Sequence, residues 1–167
     1  ADGQDTLALK QALALLLTIN RIPQLYYGTE VLMNGTKQVT DGNVRRDFPG
    51  GFPGDTQNAF TKEGRTKEQQ QMFQWLSRLL HWRQGNKLVT EGAVHTRDGV
   101  YVVARTLNGK AILTVLNGTT HQKKMHPERY AEIINNTTEA TNILTGRKID
   151  LTKDVTLPPR GTMILEF

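Results

Sequence analysis

The sequence contains no cysteine. That excludes a disulfide framework and thiolate chemistry. It leaves the compartment open, because cysteine-free proteins occur in the bacterial periplasm as well as the cytoplasm. Long apolar runs are also missing. The longest, Leu7 to Ile22, is interrupted by Lys10, Gln11, Asn20 and Arg21, and so falls short of the roughly 18 uncharged residues a membrane span requires. The chain opens with ADGQD rather than a basic stretch followed by an apolar block. No signal peptide is visible, and the true start is expected to have been removed or never included. Nor is there a concentration of one charge sign. Residues 1–86 carry ten Lys/Arg and eight Asp/Glu, and residues 87–167 carry eleven and eight. The excess behind the net charge of +5 is therefore dispersed, and its densest groups are the pairs Arg45-Arg46, Lys123-Lys124 and Arg147-Lys148. A surface that tracks phosphates needs clustered cations with few acids between them, so no nucleic-acid partner is expected.

What the sequence does have is enough apolar material for a core, 37% hydrophobic over 167 residues, in one large domain or two small ones. Leu7, Leu9, Leu13, Leu16, Leu17 and Ile19, with alanines between them, predict a helix apolar on nearly every side, with Asp5 as its N-cap and its end before Pro23. IPQLYYGTE then reads as a short buried strand. After an irregular stretch from Gly28 to Lys62, Thr66 and Gln69 form a capping box at the head of a second helix that Gly85 stops. Met72, Phe73, Trp75, Leu76, Leu79, Leu80 and Trp82 give that helix a broad apolar stripe, in which both tryptophans read as core rather than sugar platforms.

From Leu88 the apolar period changes to two. Val100–Leu107 and Lys110–Leu116 flank Asn108-Gly109, the strongest short hairpin signal. Further turn signals fall at Asp98-Gly99, Asn117-Gly118, Thr145-Gly146 and Pro158-Pro159. Strands at this spacing predict an antiparallel Greek-key sandwich, so a domain boundary is expected near Asn86 to Lys87, with an α/β piece before it and an all-β domain after. One buried strand with two helices cannot cover its own edges. The first piece is therefore expected to be the tail of a larger sheet or barrel.

No nucleophile elbow, P-loop, HExxH or dinucleotide fingerprint occurs. His81, His95, His121 and His126 lie at no metal-ligand spacing and, without cysteine, offer no recognisable zinc set, so no metal and no cofactor are expected. Glycosylation sequons, among them those at Asn34, Asn117 and Asn135, matter only in a eukaryotic secretory route. The candidate site is the loop DGNVRRDFPGGFPGD, Asp41 to Asp55. Phe48-Pro49-Gly50-Gly51 and Phe52-Pro53-Gly54-Asp55 each fit a type II turn, with proline fixing the second position and glycine accepting positive φ at the third. In parallel α/β structures the segments leaving strand carboxyl ends build the ligand face, which places this loop where ligands bind. Asp41 and Arg45 can accept from and donate to sugar hydroxyls, although a loop salt bridge explains the same spacing.

RIPQLYYGTEVLMNG resembles the last barrel strand of the α-amylase family of glycoside hydrolases. DGNVRRDFPGGFPGD resembles the following loop in its neopullulanase and cyclomaltodextrinase branch, and LTGRKIDLTKDVTLPPRGTMILEF the closing strands of its C-terminal β-sandwich. The resemblance implies the last helix-strand-helix of a TIM (β/α)8 barrel over residues 1–86, with Leu25 to Tyr27 as its eighth strand, and an antiparallel Greek-key β-sandwich domain over residues 87–167. It also implies a retaining mechanism acting on α-glucan, with all catalytic acids upstream of Ala1 and no catalytic residue in this chain. Asp41 and Arg45 match the family's DxxxR substrate contacts, and Glu30 matches no catalytic position. Phe48 and Phe52 are expected either to stack on sugar or to pin the loop. The missing barrel, or a second copy of the chain, is expected to cover the exposed strand. The alternative is a non-catalytic carbohydrate-binding or interaction β-domain.

Overall fold

The computed structural model describes residues 5–19, 21–86, 94–97 and 100–167. The expected turn at Asp98-Gly99 and the residue Lys87 at the expected boundary lie outside them. The elements run α1 (Thr6–Thr18), α2 (Lys67–Arg83), β1 (Val94–Arg97), β2 (Val100–Leu107), β3 (Lys110–Asn117), β4 (Lys123–Met125), α3 (Ala131–Ile134), β5 (Glu139–Asn142), β6 (Arg147–Asp150), β7 (Val155–Leu157) and β8 (Thr162–Glu166). They form two compact units. One is built mainly from Gln24–Arg78, and the other joins Leu7–Pro23 to Leu79–Phe167.

In the second unit six antiparallel strands lie in the order β1-β2-β3-β8-β5-β6, and β4 and β7 pair as a separate two-stranded sheet. The β2–β3 hairpin turns at Asn108 and Gly109, with φ of 51° and 77°. That is the left-handed pair a two-residue type I′ turn demands, so the register closes on Leu107↔Lys110 as the Asn-Gly signal implies. Alternation then sorts the side chains by face. Val100, Val102 and Ala104 of β2, Leu113 and Val115 of β3 and Leu165 of β8 point into one core. Met125 of β4, Val155 and Leu157 of β7, Tyr130 and Ile134 close that core from the opposite layer.

The other face of the same strands is buried as well. Val103, Ile112, Thr114 and Ile164 are each no more than 1% exposed. Helix α1 lies against this face through buried Leu13, Ala14 and Leu17. Gln11 Nε2 donates to Asn117 O at 2.8 Å and to Gly161 O at 3.2 Å, and Arg105 Nε donates to Thr18 O at 3.0 Å. Arg83 donates to Leu17 O and Arg21 O, so two guanidinium groups meet the carbonyls left open at the end of α1. At the end of α2, Trp82 Nε1 donates to Glu166 Oε2 at 3.3 Å. Trp82 is thus partly buried and engaged with the sheet. The helix layer explains why α1 is apolar on more than one side, and why the compact units cut the chain differently from a division at residue 86.

In the first unit the capping box is formed as expected. Gln69 Oε1 accepts from Thr66 N at 2.9 Å, and Thr66 Oγ1 accepts from Gln69 N at 3.2 Å. Gly85, with φ of 81°, ends the helix. One expectation needs correction: Leu25 to Tyr27 is not a strand. The segment has no regular secondary structure, and Tyr26 and Tyr27 are 57% and 44% exposed. A strand exists only through its partners, and among the described residues none pairs with this stretch. The helices and antiparallel sheets of the expected fold are present; a barrel segment is not seen directly among the described residues.

Candidate functional site

The loop between Gly28 and Arg65 has almost no regular structure, yet its conformation is fixed at closely spaced points. Thr40 caps a 3-10 turn over Asp41–Val44, its Oγ1 accepting from Asn43 N at 3.1 Å. Asn43 Oδ1 in turn accepts from Thr36 N at 2.7 Å. Arg45 terminates the turn through its own N–H to Gly42 O at 3.0 Å. Arg46 donates to the backbone and side-chain oxygens of Asn34, while its carbonyl accepts from Tyr27 Oη at 2.8 Å. Asp41 and Arg45 are therefore presented from a backbone held on both sides. Both side chains are exposed, and neither makes an ion pair among the described residues. The loop salt bridge that their spacing allowed is not formed.

The doubled Phe-Pro-Gly unit folds as the sequence predicts. Gly51 N bonds to Phe48 O at 3.3 Å and Asp55 N to Phe52 O at 3.2 Å. Gly50 and Gly54 have φ of 102° and 93°. Asp55 joins the two turns, one carboxylate oxygen accepting from Gly50 N at 2.8 Å and Phe52 N at 3.0 Å. These N–H donors, Phe52 first, hold its carboxyl below the usual carboxylate range. Ala59 N reaches back to Pro49 O at 3.0 Å. Arg65 grips the loop's exit through Ala59 O and Phe60 O at 2.8 and 3.0 Å while lying over the Phe73 ring at 3.6 Å.

The two candidate phenylalanines divide. Phe48 is half-buried and packs on Phe60 at 4.5 Å between ring centroids, so it pins the loop. Phe52 is 59% exposed. Phe60, which no sequence pattern singled out, is 61% exposed. At the start of the loop the Tyr26 and Tyr27 rings meet with centroids 4.6 Å apart, tilted by 38°. The Tyr27 phenol is raised above its ordinary value, first by its hydrogen bond with Tyr26 and also by Asp47, with Arg45 opposing. The loop thus offers a carboxylate acceptor, a guanidinium donor and exposed aromatic faces on a stiff backbone. That set can bind a polyhydroxylated ligand. It holds no nucleophile with an adjacent base, the arrangement covalent catalysis requires.

Elsewhere, Asn117 is fully buried, with Nδ2 donating to His121 O and Pro158 O at 2.8 Å each, so its sequon cannot carry a glycan. One constellation escaped the spacing rules. His126, Glu128 and Asp154 bring their ligand atoms within 4.8 Å of one another. Asp154 is 28 positions from His126, and only the pairing of β4 with β7 makes them neighbours.

An antiparallel β-domain with helices and a stiff loop before it is the architecture of the C-terminal region of α-amylase-type proteins. The chain superposes on an Anoxybacillus α-amylase (TM-score 0.69, 20% identity, 96% of this chain and 32% of that one). The Geobacillus thermoleovorans α-amylase complexed with acarbose gives the same TM-score and identity, over 96% of this chain and 33% of that one. A Nostoc punctiforme debranching enzyme soaked with acarbose matches at TM-score 0.65 and 21% identity, over 99% and 30%. The chain spans about a third of the length of each of these. Residues 95–166 match the cyclo-malto-dextrinase C-terminal domain family. Over those residues the chain is similar to the C-terminal domain of cyclomaltodextrinases, and its fold is that of the α-amylase structures it superposes on.

Proposed function

We propose that the chain is the C-terminal portion of a retaining α-glucan hydrolase of neopullulanase or cyclomaltodextrinase type, cleaving α-glucosidic bonds in starch, pullulan or cyclodextrins. The family match over residues 95–166 carries this reading. The catalytic carboxylates belong to a preceding barrel segment. In the retaining mechanism one carboxylate attacks the anomeric carbon and a second serves as acid and then base. The loop from Asp41 to Phe60 contributes binding. The Asp41 carboxylate accepts from glucan hydroxyls, the Arg45 guanidinium donates to them, and Phe52 supplies an apolar face.

Two observations support the division of labour. Asp41 and Arg45 are exposed and make no ion pair among the described residues, on a backbone fixed by Thr40, Asn43 and Arg46, which lowers the entropic cost of ordering them on a ligand. Ile22, Tyr26 and Tyr27 are 97%, 57% and 44% exposed, and the preceding barrel segment, or a second copy, covers them in this reading.

The test uses the 167-residue chain. With pullulan, starch and cyclodextrin it releases no sugar, and measurable turnover would place catalysis within these residues and overturn the assignment. Titration with maltoheptaose, followed residue by residue by NMR, is expected to perturb Asp41, Arg45 and Phe52. Perturbations confined to residues 95–166 would instead favour a carbohydrate-binding β-domain.

A further inference from the structure

The cluster at the end of the two-stranded sheet has a chemistry of its own, independent of the loop. β4 ends at Met125, paired with Val155, the first residue of β7. His126 leaves one strand and Asp154 enters the other on the same side of that pair. Pro127 then fixes the start of a 3-10 turn over Pro127–Tyr130 that carries Glu128. Nδ1 of His126 lies 2.8 Å from Asp154 Oδ1 and 3.8 Å from Glu128 Oε1.

A single imidazole nitrogen facing two carboxylate oxygens has a stoichiometric problem. Its one N–H can serve Asp154 but not Glu128 as well, and the carboxylates repel each other. A cation at the centre of the triangle satisfies all three. The separations of 2.8 and 3.8 Å bracket the roughly 3.3–3.5 Å between ligands bound to zinc at about 2.0–2.2 Å in a tetrahedron, so small side-chain rotations would bring the three atoms to that spacing. Lys124 engages the other Asp154 oxygen, Oδ2, at 3.2 Å, and Lys153 is held by Asp150 at 2.9 Å. Glu128 and Asp154 also line an open cavity of about 320 Å³, with Asn136 and Thr152 on its wall. Remaining coordination positions can therefore be filled by water or by an oxygen ligand from solution.

We propose that His126, Glu128 and Asp154 form a surface site for a divalent transition-metal ion, Zn²⁺ foremost, that ties β4 to β7. One nitrogen and two carboxylate oxygens are a zinc-type donor set, whereas Mg²⁺ and Ca²⁺ prefer oxygen ligands alone. On binding, Nδ1 gives up its proton, which moves to solvent or, in the neutral ring, to Nε2, and the nitrogen lone pair takes the metal.

The experiment is calorimetric titration of the untagged chain with Zn²⁺, with Co²⁺ as a spectroscopic probe and Mg²⁺ as control. One equivalent of Zn²⁺ is expected to bind and to raise the melting temperature, and Mg²⁺ to do neither. Both His126→Gln and Glu128→Gln should weaken binding by at least ~10-fold, the lower end of what perturbing a metal site's environment costs. Glu128 is 70% exposed, so its substitution spares the fold. Lys124→Met, which removes a competing cation, should tighten binding. Absence of Zn²⁺ binding, equal binding of Mg²⁺, or unchanged affinity in both glutamine variants overturns the site and shows only a hydrogen-bonded ion pair.

Discussion

Thr114 sits at the centre of β3, opposite Val103 on one side and Ile164 on the other. It is 0% exposed, and its Oγ1 has no hydrogen-bond partner among the described residues. A buried hydroxyl without a partner costs about 1–3 kcal/mol relative to one left in water. Thr114→Val replaces the hydroxyl with a methyl of nearly equal volume, keeps the β-branched shape a strand favours, and removes the unsatisfied group. The variant is expected to gain about 1 kcal/mol, the low end of that range because a methyl fills the pocket slightly differently. For a chain of this length that corresponds to a rise of about 2–4 °C in melting temperature. Urea unfolding monitored by fluorescence and circular dichroism should show a higher midpoint with an unchanged slope. Thr114→Ser, which keeps the hydroxyl and deletes the methyl, should move the midpoint the other way. Loss of more than about 0.5 kcal/mol in the valine variant would mean that the hydroxyl is satisfied in solution, and would refute the reasoning.

Three further outcomes follow from the structure. Gly50→Ala should destabilise the loop by about 1–3 kcal/mol, because φ is 102° and a Cβ would stand 2.6 Å from Asn58 Cα; faster proteolysis between Asp47 and Phe60 would report it. Asn117→Ala should cost about 2–3 kcal/mol in chemical unfolding, since its amide bonds His121 O and Pro158 O and its oxygen accepts from Thr119 N and Oγ1. Thr152 and Lys153 lower the Asp150 carboxyl to about 2. A depressed folded value stabilises above the unfolded value near pH ~4 and is lost as pH falls toward ~2. Melting temperatures between pH 5 and pH 2 should therefore fall less steeply in Asp150→Asn than in the parent, and parallel curves would refute the linkage.

What the residues disclosed in advance was local. Asn108-Gly109, the Thr66/Gln69 box and the two Phe-Pro-Gly turns each encode their geometry within four residues, through φ preferences and hydrogen bonds that need no distant partner. IPQLYYGTE failed as a strand for the complementary reason: its apolar pattern states what it would bury, but pairing has to come from elsewhere. The faces of β2 and β3 were readable from alternation, whereas α1 as the cover of one of them was not, because nothing near Gln11 points to Asn117. In the candidate loop the spacing proposed Asp41 and Arg45, and the structure shows neither in an ion pair among the described residues. Phe60 was invisible because its exposure depends on Asn58 and Arg65 clamping the backbone beneath it. His126, Glu128 and Asp154 were missed because spacing rules examine neighbours in sequence, and this trio is assembled by strand pairing.

The layer that α1 lays over the sheet has a consequence for how the molecule is made. Gln11 is bonded to Asn117, 106 positions further on. During synthesis an apolar helix thus emerges long before its binding surface has been translated, and must be shielded until the β2–β3 hairpin arrives. The same geometry warns against excising the strands as a stand-alone module. Cut away from the helix, the sheet would present Val103, Ile112 and Ile164 to water as one sticky plane, and insolubility of such a truncation would reflect a lost lid rather than a defective β-domain.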